Sequence, residues 1–160
     1  MKKFNIIALI LSLCVFIGGC NSIETNAENN VNTSVGEEKI HFIDVGQGDS
    51  IFVESNGEYM LVDAGEEDKG DIVTEYLKKM GVETIKYAVA THPHSDHIGG
   101  IDDVINEFDV ENIIMPDAPN NTRSFENMLD AVENNNVNAI MAEPGSSYIL
   151  GDFKFDILGP

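Results

Sequence analysis

Apolar positions change their spacing twice along the chain. From Phe4 to Phe16 they run almost unbroken. Between Asn21 and Glu38 they thin out to a polar, asparagine-rich stretch without period. From Ile40 onward they return as short runs and helical stripes. Ile40–Val45, Ser50–Glu54 and Glu58–Val62 read as strands, and Asn56-Gly57 as the two-residue turn of a hairpin. Asp71 is placed to cap a helix whose stripe is Ile72, Val73, Tyr76, Leu77 and Met80, ended by Gly81. Ile85–Ala90 is a further strand, Gly100–Phe108 a short helix, and Val110–Met115 a strand stopped by Pro116. Thr122 or Ser124 starts a helix carrying Phe125, Met128, Leu129 and Val132 on one face. Asn138–Ala142, Ser147–Leu150 and Phe153–Leu158 read as three last short strands. Strands first, then strand–helix alternation, indicate an α/β layered fold.

The first two segments bear on location. A basic Met1-Lys2-Lys3, a short apolar core and small residues before Cys20 have the make-up of a secretory signal peptide, too short to span a membrane comfortably. Gly18-Gly19-Cys20 resembles a bacterial lipobox. The resemblance implies cleavage after residue 19, lipid on Cys20, and stable anchoring by two acyl chains. Cys14 would leave with the signal, so no disulfide is available and the metal chemistry described below cannot use thiolate. Residues 20–38 are then a tether, holding a domain at 39–160 on the order of 25 Å from the membrane. The expected location is the outer face of the cell membrane.

Formal net charge is −19, and loss of residues 1–19 removes Lys2 and Lys3 and no acid, giving −21. This charge repels polyanions and argues against simple electrostatic capture of DNA, which needs a basic face.

Candidate chemistry concentrates in Thr91-His92-Pro93-His94-Ser95-Asp96-His97-Ile98-Gly99-Gly100, directly after a predicted strand. Three of the chain's four histidines lie here. Imidazoles this close repel when protonated and have no packing role, so metal binding is the economical reading. His92 and His94, two apart, can grip one ion. Asp96 and His97, further round the turn, can face a second about 3.5–4 Å away, a spacing suited to hydrolysis. Asp96 is also placed to steer the proton of an attacking water. Zinc suits this donor set, with manganese as the alternative for phosphodiester cleavage. His41, alone on a strand, reads as structural.

The His-x-His-x-Asp-His pattern at His92, His94, Asp96 and His97 resembles the signature of the metallo-β-lactamase-fold hydrolases. With Asp44-Val45-Gly46-Gln47-Gly48-Asp49-Ser50 and Leu61-Val62-Asp63-Ala64-Gly65, the set resembles the hydrolase domain of the ComEC competence family and its secreted relatives. The resemblance implies an αββα sandwich, two divalent metal ions and hydrolysis of an ester, which in the competence proteins is thought to lie in one DNA strand. By the same resemblance Asp63, and less distinctly Asp49, are carboxylates that orient the metal loop without ligating. The expected function is metal-dependent phosphodiester hydrolysis. A lactone or small phosphoester is the alternative substrate, and a non-catalytic remnant or surface metal-binding protein the alternative role. No protein partner is implied.

The chain also departs from the family. No histidine follows His97, and the aspartates Asp117, Asp130, Asp152 and Asp156 lack the expected strand-end context, Gly151-Asp152 reading as a hairpin turn. The expectation is therefore the N-terminal half of the sandwich, inactive by itself, with Ile51, Val53, Leu61 and Val89 left uncovered.

Overall fold

Eight strands and four helices follow one another in the computed structural model, which describes residues 38–159. The expected leader at 1–19, the expected lipidation site at Cys20 and the expected tether through residue 37 lie outside the described residues. The elements are β1 (Lys39–Phe42), β2 (Ile51–Ser55), β3 (Glu58–Val62), α1 (Gly70–Lys79), β4 (Thr84–Val89), α2 (Ser95–Ile98), α3 (Ile101–Glu107), β5 (Asp109–Met115), α4 (Arg123–Asn134), β6 (Asn138–Met141), β7 (Ser147–Leu150) and β8 (Phe153–Asp156).

Six strands form one sheet in sequence order, β1 to β6. The first three are antiparallel, because β2 and β3 are joined by Asn56-Gly57 with φ of 48° and 79°, the two positive angles of a tight hairpin. From β3 onward helices intervene, and β3, β4, β5 and β6 run parallel. The register sets Val62 beside Val89 and Val89 beside Ile114. Three loops therefore leave the same edge of the sheet: residues 63–69 after β3, 90–94 after β4 and 116–122 after β5. This is the edge where parallel sheets collect their functional groups.

Alternation sorts the strand side chains between two faces. Phe52 and Leu61 point to the helices and are 0% and 1% exposed. They share a core with Val73 and Leu77 of α1, Ile101 and Val104 of α3, and Met128 of α4. Val53 and Met60 point the other way and are buried with Leu150 of the β7–β8 hairpin. The structure thus corrects the expected bare face. Leu61 lies under helices, Val53 lies under the hairpin, and Ile51 and Val89 pack half-buried at its margin. The apolar side chains left open on that side are Ile40 and Phe42 of β1, 56% and 78% exposed.

Helix expectations need smaller corrections. Ile72 and Leu129 fall outside their buried stripes and are exposed. Lys69, not Asp71, precedes the first turn of α1, and Asp71 sits within that turn, where its charge suits the helix N-terminus. Thr122 does cap α4, accepting from the Phe125 N–H at 3.4 Å. The four-residue α2 was not anticipated, since it is too short to show a period.

The hairpin is pinned at its tip. Gly151 N–H donates to Glu58 Oε2 at 2.6 Å, and Asp152 N–H donates to Ser55 Oγ at 3.1 Å. Lys86 Nζ meets the same Glu58 oxygen at 2.5 Å. The Lys86 ammonium, with the Gly151 N–H second, holds the Glu58 carboxyl below its ordinary range. A carboxyl lowered in the folded state stabilises fully above its unfolded pKa and loses that contribution as pH falls through the folded one. Amide exchange in residues 147–156 is therefore expected to quicken as pH falls below the ordinary glutamate range, after correction for intrinsic rates. Glu58→Gln should quicken it several-fold at neutral pH and flatten the acid dependence. Unchanged protection in Glu58→Gln would remove this anchor from the account.

Candidate metal centre

The site is built around Asp63, the residue directly after β3. Its carboxylate is 2% exposed and takes three donors. Thr91 N–H reaches Oδ1 at 2.9 Å, while Thr91 Oγ1 and His97 Nδ1 reach Oδ2 at 2.5 and 2.8 Å. The backbone around it is equally committed. Asp63 N–H donates to Val89 O and Ala64 N–H to His97 O. Asp63 itself holds φ at 56°, a left-handed conformation that costs on the order of 1 kcal/mol in a side-chain-bearing residue. That strain is kept at the one position where the chain after β3 must turn under the loop after β4.

These bonds fix which ring nitrogens carry protons. A carboxylate only accepts, so His97 donates from Nδ1 and its Nε2 keeps a free lone pair. The single hydroxyl proton of Thr91 is also spent on Asp63. Thr91 Oγ1 therefore accepts from His92 Nδ1, 3.1 Å away, and His92 Nε2 is left free as well. Hydrogen bonding through one imidazole nitrogen to present the other is how metal-ligating histidines are held.

The rings converge. His92 and His97 have centroids 4.0 Å apart, and His92 and His94 4.7 Å apart. Asp63, His92 and His97 can each offer one donor atom with all three atoms within 4.8 Å of one another. Asp63 is near enough to count as a donor, yet its oxygens are engaged by Thr91 and His97, which favours orientation over ligation. Asp96 Oδ2 lies 4.0 Å from His97 Nε2, on the side where an ion could be shared. Asp49 Oδ2 lies 3.8 Å from His97 Nδ1 with its side chain 68% exposed. His94 is exposed at the rim. Free imidazole nitrogens flanked by carboxylates suit a divalent cation such as zinc. His41 stands apart, hydrogen-bonded to Tyr76 OH at 2.7 Å and packed on Phe52. Thr91 and Asn120, whose amide reaches the loop at Pro93, carry no motif signal beyond adjacency to the histidines for the first.

Close backbone approaches enclose the loop. A Cβ on Gly99 would stand 2.2 Å from Glu67 N, and one on Gly48 1.7 Å from the Asp96 carbonyl. Gly99 N–H is already bonded to Ser95 O, so this glycine serves packing and does not offer its N–H to an anion. Beside Ser95 opens a cavity of about 520 Å3 walled by Glu66, Glu67 and Asp68. On α3 the Asp102 carboxyl is raised by burial and then by Asp103. The Asp103 carboxyl is raised by burial and then by Asp71 and Glu67. Gly48 and Gly46 both hold positive φ, 95° and 79°, but nothing lies within 4 Å of a Cβ on Gly46. Gly46→Ala should thus cost about 1 kcal/mol from conformation alone. Gly48→Ala should cost about 2–3 kcal/mol or more, because the Asp96 segment must also move. Urea unfolding of both variants measures the difference, and equal costs would show that Gly48 does not seat Asp96.

The sequence profile of the metallo-beta-lactamase superfamily matches residues 43–157. No curated protein matches the chain. Solved structures agree in fold. A metallo-beta-lactamase from Cronobacter sakazakii superposes with a TM-score of 0.55 at 17% identity, over 72% of this chain and 48% of that one. MEM-A1, a subclass B3 metallo-beta-lactamase from a soil metagenome library, gives 0.55 at 15% identity, over 76% and 49%. SMB-1, in complex with mercaptoacetic acid, gives 0.53 at 19% identity, over 75% and 49%. The chain spans about half the length of these structures. With the family's sequence profile covering residues 43–157, most of the chain, and solved metallo-beta-lactamases sharing its fold over about half their length, this protein belongs to the metallo-beta-lactamase superfamily.

Proposed function

We propose that this protein takes part in metal-dependent hydrolysis of an ester, phosphodiesters first, on the outer side of a membrane to which a lipidated Cys20 tethers it. The observation that carries the reading is the free Nε2 on both His92 and His97, enforced by Thr91 and Asp63. In this reading His92 and His94 hold one divalent ion and Asp96 and His97 a second, zinc by donor type and manganese as the alternative. Bound there, the ions supply Lewis acidity and lower the pKa of water. Asp96, 32% exposed at its side chain, would steer the proton of an attacking water through the carboxylate oxygen it does not spend on the ion. Asp63 and Thr91 keep the imidazoles oriented. Asp49 sits at the end of the Asp44–Ser50 segment, whose Gly48 supports Asp96. The similarity of that segment to the competence-type hydrolases supports a phosphodiester, with DNA as one candidate.

A second reading has its own observation. The carboxylate-walled cavity beside Ser95 disfavours a long polyanion, which favours a small phosphoester or a lactone.

Elemental analysis of purified protein tests the metal assignment. His92→Ala and His94→Ala should each lower bound zinc by about one ion per chain, and Asp96→Ala should deplete the second position. Wild-type content in all three variants would end the assignment. Activity is best read on protein isolated from its native membrane. Zinc- or manganese-dependent cleavage of bis-nitrophenyl phosphate should fall at least about 100-fold in His94→Ala. Turnover of a lactone in place of the diester would select the second reading. Cys20→Ala should release the protein from membranes, and a variant that still fractionates with lipid would contradict the tether.

A further inference from the structure

The peptide unit between Pro93 and His94 is held at both ends. On one side His94 N–H donates to His92 O at 3.0 Å within the loop. On the other, Pro93 O accepts from Asn120 Nδ2 at 2.8 Å. Asn120 belongs to the loop between β5 and α4, far along the chain from the histidines. Its amide is oriented without ambiguity, because Asn120 Oδ1 accepts from Asn121 N–H at 2.7 Å and so leaves the NH2 end for Pro93.

The other carbonyls of this segment find partners nearby. His92 O takes His94 N–H, His94 O takes His97 N–H and Ile98 N–H, and Ser95 O takes Gly99 N–H. Pro93 O is instead served by a side chain from a different loop. That carbonyl lies on the one residue separating His92 from His94. Rotation of the 93–94 peptide plane would swing the two imidazoles relative to each other, and His94, exposed at the rim, depends on this plane for its aim. The proline ring already restricts the backbone at Pro93 and, by steric contact, at His92. The plane's remaining freedom is the part the Asn120 amide can remove. The loop that carries Asn120 is firm enough for the task. Thr122 caps α4 directly after it, and Pro116, Ala118, Phe125 and Met128 pack with His92 and Pro93 around one small apolar pocket.

We propose that Asn120 is a positioning residue of the metal centre, setting the mutual aim of His92 and His94 by clamping the Pro93–His94 peptide. The inference rests on the metal reading above and extends it to a residue outside the histidine motif. Asn120 reaches no ion itself. Its effect is on ligand geometry, the kind of outer support whose loss typically weakens metal affinity about 10–100-fold.

The test is competitive zinc titration of the metal-free protein against a chromophoric chelator, in wild type, Asn120→Ala, Asn120→Asp and Asn121→Ala. Asn120→Ala should lose about 10-fold or more in zinc affinity. Asn120→Asp should lose at least as much, since it sets a second acceptor against Pro93 O. Asn121→Ala should bind as wild type does, because only its backbone N–H is used. Hydrogen exchange of the metal-free protein supplies the readout that a general loss of structure would not reproduce. In Asn120→Ala the His94 amide should exchange faster while amides of α4 keep their protection. Unchanged zinc affinity, or loss of protection spread through α4, would overturn the proposal. A wild-type chain that binds no zinc would contradict the metal reading instead. The His94 amide would then still decide the clamp, and equal protection in wild type and Asn120→Ala would remove it.

Discussion

A buried carboxylate with three donors holds the functional end of this molecule together. Asp63 is taken out of water at the end of β3, and an unpaired charge there would cost several kcal/mol. Thr91, from the loop after β4, and His97, from the short α2 that follows it, satisfy it. The carboxylate therefore cannot be accommodated unless that loop folds back over it. Once the loop does so, the proton positions on His92 and His97 are decided and their Nε2 atoms are released together. The parallel pairing of β3 with β4 makes the encounter geometrically cheap, since Val62 and Val89 lie side by side one residue before the turn begins. The left-handed φ at Asp63 is tolerated because so many bonds depend on it.

The remaining enclosure follows from close contact. Gly48 leaves room for the Asp96 carbonyl, and Gly99 for the Glu67 backbone. The loop with Asn120 closes a third side. The histidine loop is thus a short segment gripped by three others, which is how a site placed outside regular structure can still be preorganised. Its surroundings are acidic, with Glu66, Glu67 and Asp68 around the adjoining cavity and two raised carboxyls on α3. Divalent cations would find a favourable field here, and polyanions an unfavourable one.

Much of this was legible in the sequence, for particular reasons. Strands β2, β3 and β7 could be placed within a residue because alternation and turn residues bound them on both sides. Asn56-Gly57 announced its hairpin through backbone chemistry alone. The histidine cluster was visible because its members lie within six residues. What escaped was whatever depends on distant chain segments meeting. The β7–β8 hairpin covers Val53 and Met60, so a face that looked bare is partly closed by the chain itself. Helix α2 is too short for a period, and Ile72 and Leu129 obey the helical spacing but sit just beyond the buried arc. Thr91 and Asn120 are polar residues of ordinary type whose roles arise from one hydroxyl and one amide meeting particular acceptors.

The central claim is that Asp63 orients the imidazoles and does not ligate, leaving the histidine nitrogens to bind the metal. X-ray absorption at the zinc edge, measured on zinc-loaded wild type and on Asp63→Asn, addresses it directly. The account predicts imidazole scattering at about 2.0–2.1 Å from His92, His94 and His97 in wild type, with the same ligand types but weaker occupancy or greater disorder in Asp63→Asn. Loss of one oxygen ligand at about 2.0–2.2 Å on going to Asp63→Asn would show that Asp63 binds the ion itself and would contradict the account.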